Sequence, residues 1–84
     1  MKVMFFTAPW CGACQQAKPF VEREATNRGV DITYVDVDAE PETANAHGVR
    51  GLPTVIILDD AGEVRDMIAA SQIHGRLPAA LRGR

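Results

Sequence analysis

The chain has 84 residues, a formal net charge of −2 and a hydrophobic content of 46%. This length suffices for one hydrophobic core, so residues 1–84 are expected to form a single domain. Basic and acidic side chains are mixed along the chain without a basic stripe, and nothing indicates nucleic-acid binding. The start lacks the features of a secretory signal and no segment has the length of a membrane span, so the expected location is the cytoplasm.

Two strands and a helix are predicted in the first half of the chain. The apolar run Lys2–Thr7 is typical of a buried strand. From Cys11 onward, apolar or small residues recur at helical spacing up to Gly29, and Pro19 is expected to kink this helix rather than end it. The alternating pattern of residues 30–37 predicts a second strand.

A short helix and a third strand should follow. Residues 38–48 are expected to form a helix with Asp38 as its acidic N-cap, Pro41 near its first turn and Gly48 as its end. The run of β-branched residues after Thr54 is typical of a strand covered on both faces.

The last part of the chain predicts a hairpin and a final helix. Turn residues at 59–62 lead into a returning strand at residues 63–68. Ile73, Leu77 and Leu81 then keep helical spacing. The order is βαβαββα, in which the first three elements form a βαβ unit with parallel strands and the hairpin adds antiparallel edge strands. The expected fold class is α/β, a four-stranded mixed sheet with helices on both faces.

The only two cysteines, Cys11 and Cys14, are separated by two residues at the start of the first helix. A disulfide between them closes a very short loop and would stabilise the fold little. A complete zinc site would need two further ligands, and His47 and His74 are not spaced for one, so no metal is expected. The spacing therefore indicates reversible dithiol chemistry.

Their position assigns a role to each cysteine. The unpaired N–H groups at a helix N-terminus favour an anionic sulfur, so Cys11 is the predicted nucleophile. Cys14 lies one turn further and is the predicted resolving thiol. Gly12 permits a close approach by a partner backbone, and Trp10 is expected to be exposed as a contact surface.

The segment Trp10-Cys11-Gly12-Ala13-Cys14, together with Gly51-Leu52-Pro53-Thr54, resembles the thioredoxin family. The resemblance runs from the first strand to about Ala70 and implies a minimal thioredoxin-like fold. It also implies that the peptide bond between Leu52 and Pro53 is cis and that the backbone of Leu52 pairs with substrate. The implied substrate-binding residues are Trp10, Gly12, Ala13, Gly51, Leu52, Pro53 and Thr54.

Three positions depart from the family pattern. Phe5 stands where thioredoxins have a buried Asp, and Tyr34 stands where they have its Lys partner. We therefore expect that resolution by Cys14 proceeds without a buried carboxylate. Ala13 replaces the usual Pro, which is expected to move the reduction potential toward the oxidising side.

The resemblance implies a thiol–disulfide oxidoreductase that reduces protein disulfides as a monomer, with no cofactor beyond the Cys11–Cys14 disulfide. The implied electron donor is an NADPH-dependent thioredoxin reductase, and ribonucleotide reductase is a candidate substrate by analogy with short redoxins. Three alternatives stay open: glutathione-dependent chemistry of the glutaredoxin type, a non-catalytic binding module, and a dimer that holds a metal or iron–sulfur cluster.

Overall fold

A computed structural model describes residues 1–82, and residues 83–84, which belong to the predicted domain, lie outside this range. Its elements are β1 (Lys2–Thr7), α1 (Gly12–Asn27), β2 (Asp31–Asp36), α2 (Pro41–Ala46), β3 (Thr54–Leu58), β4 (Val64–Ala69), a 3-10 turn (Ala70–Gln72) and α3 (Ile73–Arg82). The predicted order is confirmed. Within residues 1–82, no helix combines the length and apolar character needed to cross a membrane.

The four strands form one mixed sheet in the order β2-β1-β3-β4. Strand β1 is parallel to β2 and antiparallel to β3, and β3 is antiparallel to β4. The parallel pair at the start and the hairpin at the end are as predicted. The expectation that the hairpin supplies only edge strands is wrong for β3, because β3 pairs with β1 on one side and β4 on the other.

Helix α1 begins on Cys11, its N-cap, whose sulfur accepts a hydrogen bond of 3.1 Å from the backbone N–H of Cys14. The helix continues through Pro19 and ends at Arg28. The next residue, Gly29, has a φ of 65° that favours glycine. The buried stripe of α1, which faces the sheet, consists of Cys14, Ala17, Val21 and Ala25.

The sheet is covered on both faces, as predicted. On one face, α1 and α3 cover a core that includes Phe5, Val55, Ile57 and Leu77. The other face carries a smaller core beneath α2, formed by Met4, Phe6, Val35, Ala44 and Ile56. Alternate residues of β3 therefore enter opposite cores, which explains its uninterrupted apolar run.

The start of α2 differs from the prediction. The N-cap is Glu40, without a side-chain cap, and Asp38 lies before the helix. The reason is a turn in which Asp36 Oδ1 accepts hydrogen bonds from the N–H groups of Asp38 at 2.9 Å and Ala39 at 3.4 Å. This turn uses the residues that the sequence pattern assigned to the helix.

Tyr34, the only tyrosine of the chain, lies opposite Phe5 in the register of β2 and β1. The two rings meet edge to face with centroids 6.1 Å apart. The Tyr34 hydroxyl donates a hydrogen bond to the Glu22 carboxylate of α1, and Lys18 Nζ lies 5.2 Å from the centroid of the tyrosine ring. Burial, together with the hydrogen bond and negative charge of Glu22, raises the pKa of Tyr34 to about 12.

The titration of Tyr34 can be followed by its ultraviolet absorbance without interference from another tyrosine. We expect a midpoint of about 12 in the folded chain and about 10 in urea. Because the pKa of Tyr34 is higher in the folded chain, the interactions of its hydroxyl stabilise the fold fully below the pKa of the unfolded chain. This contribution to the free energy of unfolding is lost as the pH rises through the pKa of the folded chain. Glu22→Gln should lower the folded midpoint, whereas Glu24→Gln should not. Equal midpoints in Glu22→Gln and the wild type would contradict this account.

Candidate active site

Cys11 and Cys14 form a disulfide at the start of α1, with their Cα atoms 5.2 Å apart, as usual for such bonds. Cys11 is 7% exposed and Cys14 is 1% exposed. Cys11 is therefore the less buried residue of the pair, and it alone of the two lines the groove described below. This is the order of exposure expected for an attacking Cys11 and a resolving Cys14.

The start of α1 provides the electrostatic environment of the Cys11 sulfur. The N–H of Cys14 points at Cys11 Sγ from 3.1 Å. The first N–H groups of a helix have no partner within it and carry the positive end of the helix dipole. Negative charge on Cys11 is therefore stabilised by the backbone, which favours its thiolate as nucleophile and as leaving group.

The loop before β3 lies beside the disulfide. The peptide bond between Leu52 and Pro53 is cis, as the resemblance implied. Thr54 Oγ1 donates a hydrogen bond of 2.7 Å to the carbonyl of Gly51, which satisfies the buried hydroxyl of Thr54 and fixes the loop onto β3. Gly51 itself is exposed, so part of the loop backbone is available to a partner.

The cysteines and this loop share an open groove of about 380 Å³, which we call the main groove. Trp10 and Cys11 form one side of it, and Gly51 and Leu52 contribute from the loop. The Trp10 side chain is 68% exposed, as expected for a contact surface. The remaining lining comes from the residue after β2, from α2 and from the residues after α2, including Val37, Pro41, Ala44 and Val49.

A second groove of about 490 Å³ shares the same loop. It is lined by Thr54, by Met67 and Ala69 of β4, and by Ser71 after that strand. Arg50, Gly51 and Leu52 line both grooves. The loop therefore forms the ridge between two adjoining depressions, of which only the main groove is lined by a cysteine.

The structure brings together some of the predicted site residues and separates others. Trp10, Cys11, Gly51 and Leu52 line the main groove, and Thr54 lines the second. Gly12 and Ala13 are exposed on the first turn of α1, outside both linings. Cys14 and Pro53 are buried.

Sequence reasoning missed the contribution of α2 to the main groove. Pro41, Ala44 and Asn45 line it, although the sequence pattern indicated only a short helix there. The parallel pairing of β1 with β2 was a usable signal. It places the segment after β2 at the same end of the sheet as the segment after β1.

The histidines and acidic residues do not gather around the cysteine pair in the described part of the chain. Within residues 1–82, no group of three or more His, Cys, Asp or Glu side chains is arranged to hold a metal ion. His47 packs against Phe6 of the smaller core. His74 stacks on Phe20, which packs against the larger core on the opposite face.

A family model described as Thioredoxin matches residues 1–80. The chain belongs to the thioredoxin family. It is 40% identical over 75 residues to the thioredoxin of Rhodospirillum rubrum, a match that covers 87% of this chain and 66% of that protein. The chain thus spans slightly less than two thirds of the length of this relative.

Solved thioredoxin structures share the fold. The thioredoxin of Trypanosoma brucei brucei is 32% identical with a TM-score of 0.85, covering 96% of this chain and 71% of that one. Thioredoxin 1 of Thermosipho africanus is 27% identical with a TM-score of 0.77, covering 95% of this chain and 98% of that one. The predicted thioredoxin-like fold is therefore confirmed.

In this thioredoxin-family site, Trp10 is held by the turn that follows β2. Its indole Nε1 donates a hydrogen bond of 2.8 Å to Asp38 Oδ2. Asp38 is fixed in turn by its own N–H, which donates to Asp36 Oδ1. The turn that displaces the start of α2 thus positions the exposed aromatic rim of the main groove.

Removing this acceptor should free Trp10. Because Trp10 is the only tryptophan, its fluorescence anisotropy reports the mobility of this side chain directly. Asp38→Ala should lower the anisotropy, since the indole loses its fixed partner. Glu40→Ala is the matched control, because Glu40 is a nearby exposed acid that forms no hydrogen bond with Trp10 and should leave the anisotropy unchanged. An unchanged value in Asp38→Ala would show that packing alone holds the indole.

The surroundings of Cys14 contain no buried acid. Phe5 is fully buried and belongs to the same core as Cys14. Among residues 1–82, the only buried polar or charged residue is Thr54, so every described Asp and Glu lies at least partly in solvent. The departure at Phe5 noted in the sequence therefore leaves no carboxylate beneath Cys14.

We expect the pH dependence of resolution by Cys14 to lack a strong inflection from a buried acid. A mixed disulfide on Cys11 can be formed with a chromophoric thiol, and its release can be followed by rapid mixing over a range of pH. The Cys14→Ser variant, which cannot resolve, supplies the background rate at each pH. A second, strong inflection from a buried acid would refute the expectation.

Proposed function

We propose that this chain is a thiol–disulfide oxidoreductase that reduces protein disulfides through Cys11 and Cys14. The observation that carries the proposal is the placement of the cysteine pair at the N-terminus of α1. There, Cys11 shares an open groove with the cis-proline loop. Membership of the thioredoxin family supports the same reaction.

The proposed cycle begins with both cysteines reduced. The Cys11 thiolate attacks one sulfur of the substrate disulfide, and the other substrate sulfur leaves as a thiolate that takes up a proton. Cys14 then loses its proton and attacks Cys11 Sγ, which breaks the mixed disulfide and releases the second substrate thiol. The substrate gains two electrons and two protons, and the chain ends with the Cys11–Cys14 disulfide.

The shape of the site favours a protein substrate. The main groove is open and mostly apolar, and Gly51 beside it exposes part of the loop backbone. An extended segment can pair its main chain with such a loop while its side chains enter the grooves. Binding of this kind depends on shape and backbone pairing, which suits a reductant of many proteins.

Restoring the dithiol requires two electrons from a donor. By analogy with the family, we propose an NADPH-dependent thioredoxin reductase, and no resident cofactor is needed because the cysteine pair carries the electrons. Such a cycle belongs in a reducing compartment, so we place the protein in the cytoplasm. We further propose that it acts as a monomer, and ribonucleotide reductase stays a candidate substrate by analogy alone.

Two other interpretations gain no specific support from the site. A non-catalytic binding module would not need two cysteines within bonding distance beside a groove. Glutathione-dependent chemistry of the glutaredoxin type is disfavoured because the family model and the relatives named above are thioredoxins.

The test is the consumption of NADPH in the presence of a thioredoxin reductase, this protein and insulin as disulfide substrate. We expect turnover with the wild type and none with Cys11→Ser, while Cys14→Ser should accumulate a mixed disulfide. Turnover by Cys11→Ser would overturn the assignment of the nucleophile. Turnover only with glutathione and glutathione reductase would replace the proposal with the glutaredoxin alternative.

A further inference from the structure

We propose that Arg50 is a specificity-determining residue that selects disulfide substrates with an acidic side chain beside the attacked cysteine. The inference rests on the proposed function, because the bound segment is the disulfide substrate itself. It adds a charge preference to a site that otherwise recognises shape and backbone.

Arg50 differs from the other groove residues in its position and its charge. It lines the main groove and the second groove, and it is the only charged residue that lines either of them. It directly precedes Gly51, in the loop expected to pair with substrate. A guanidinium placed there can reach side chains of a bound segment on either side of the loop.

The Arg50 side chain is also available to a ligand. It is exposed, and it forms no ion pair or hydrogen bond within residues 1–82, where the ion pairs are Met1 with Asp60 and Arg76 with Asp66. Asp38, which follows the groove residue Val37, already accepts a hydrogen bond from the Trp10 indole. The positive charge of Arg50 is thus uncompensated at the point where substrate would lie.

Physical chemistry then specifies the ligand. A guanidinium prefers a carboxylate, which accepts two parallel hydrogen bonds from it. A bound segment with Asp or Glu near its cysteine gains this contact, whereas one with Lys or Arg meets a like charge. For a solvent-exposed pair, we expect an effect of about two- to fivefold in rate.

The test uses three peptides, each with a single cysteine. The residue next to that cysteine is Glu in the first peptide, Gln in the second and Lys in the third. Each cysteine is blocked as a disulfide with thionitrobenzoate. Reduced Cys14→Ser protein attacks the peptide sulfur through Cys11, which forms a protein–peptide disulfide and releases coloured thionitrobenzoate. We expect second-order rates in the order Glu, Gln, Lys, and this spread should shrink as salt is added.

Variants in the same Cys14→Ser background assign the preference to one side chain. Arg50→Gln should abolish the spread, and Arg50→Glu should reverse it in favour of the Lys peptide. Arg23→Gln is the matched control, because Arg23 is an exposed arginine of α1 about 18 Å along the helix from Cys11, and it should keep the full spread. Thermal unfolding of each variant checks that the fold is intact.

Each outcome separates this inference from the function on which it rests. Equal rates for the three peptides, or an unchanged spread in Arg50→Gln, would overturn the role of Arg50 while leaving the oxidoreductase proposal in place. If Cys11 is shown to be a free thiol and yet none of the peptides loses thionitrobenzoate, the result would count against the proposed function itself. Reversal of the preference in Arg50→Glu is the result that a merely structural role would not produce.

Discussion

The central position of β1 is the constraint on which the rest of the site depends. Its parallel pairing with β2 brings Thr7 level with Asp36 at the carboxyl ends of both strands. Its antiparallel pairing with β3 brings Phe6 level with Thr54, where β3 begins. Three segments that are distant in sequence, at residues 8–11, 37–41 and 50–53, therefore meet at one end of the sheet. These segments contain Cys11, Trp10 with its partner Asp38, and the cis-proline loop.

The two hydrophobic cores, rather than the disulfide, are expected to supply most of the stability of this arrangement. Residues of β1 and β3 alternate between the core beneath α1 and α3 and the core beneath α2. Each fully buried large apolar side chain contributes about 1.5–3 kcal/mol, whereas a bridge across so short a loop adds less than one across a long loop. The cysteine pair can therefore open and close without being the main support of the fold, as a reversible carrier requires.

Hydrophobic periodicity was sufficient to predict most of the fold, because it reports which faces are buried. It placed β1 correctly and gave the buried positions Ile73, Leu77 and Leu81 of α3. The capping pattern that placed the start of α2 at Asp38 was wrong, because the competing hydrogen bonds of Asp36 decide the backbone path there. Periodicity contains no information about such a turn, because the turn depends on one side chain reaching back to the main chain.

The candidate site was predictable to the extent that its residues are local in sequence. Cys11 and Cys14 could be found from their spacing alone, and the loop at Leu52 from its resemblance to a family motif. The contributions of Ala44 and Asn45 could not, because they depend on where α2 packs relative to β1. The fixed orientation of Trp10 likewise depends on a hydrogen bond that joins positions 28 residues apart.

The chain keeps its charges out of the core and uses them at the rim of the site. A carboxylate at Phe5 would have to be desolvated beside Cys14, at a cost of several kcal/mol unless it were paired. A charged side chain at the rim of the site remains hydrated, so placing it there costs little free energy. Asp38 at the rim accepts a hydrogen bond from Trp10, whereas Arg50 forms no ion pair or hydrogen bond with the described residues. An unpaired charge that stabilises nothing in the free protein is the kind of group that can be altered to change specificity while leaving the fold unchanged.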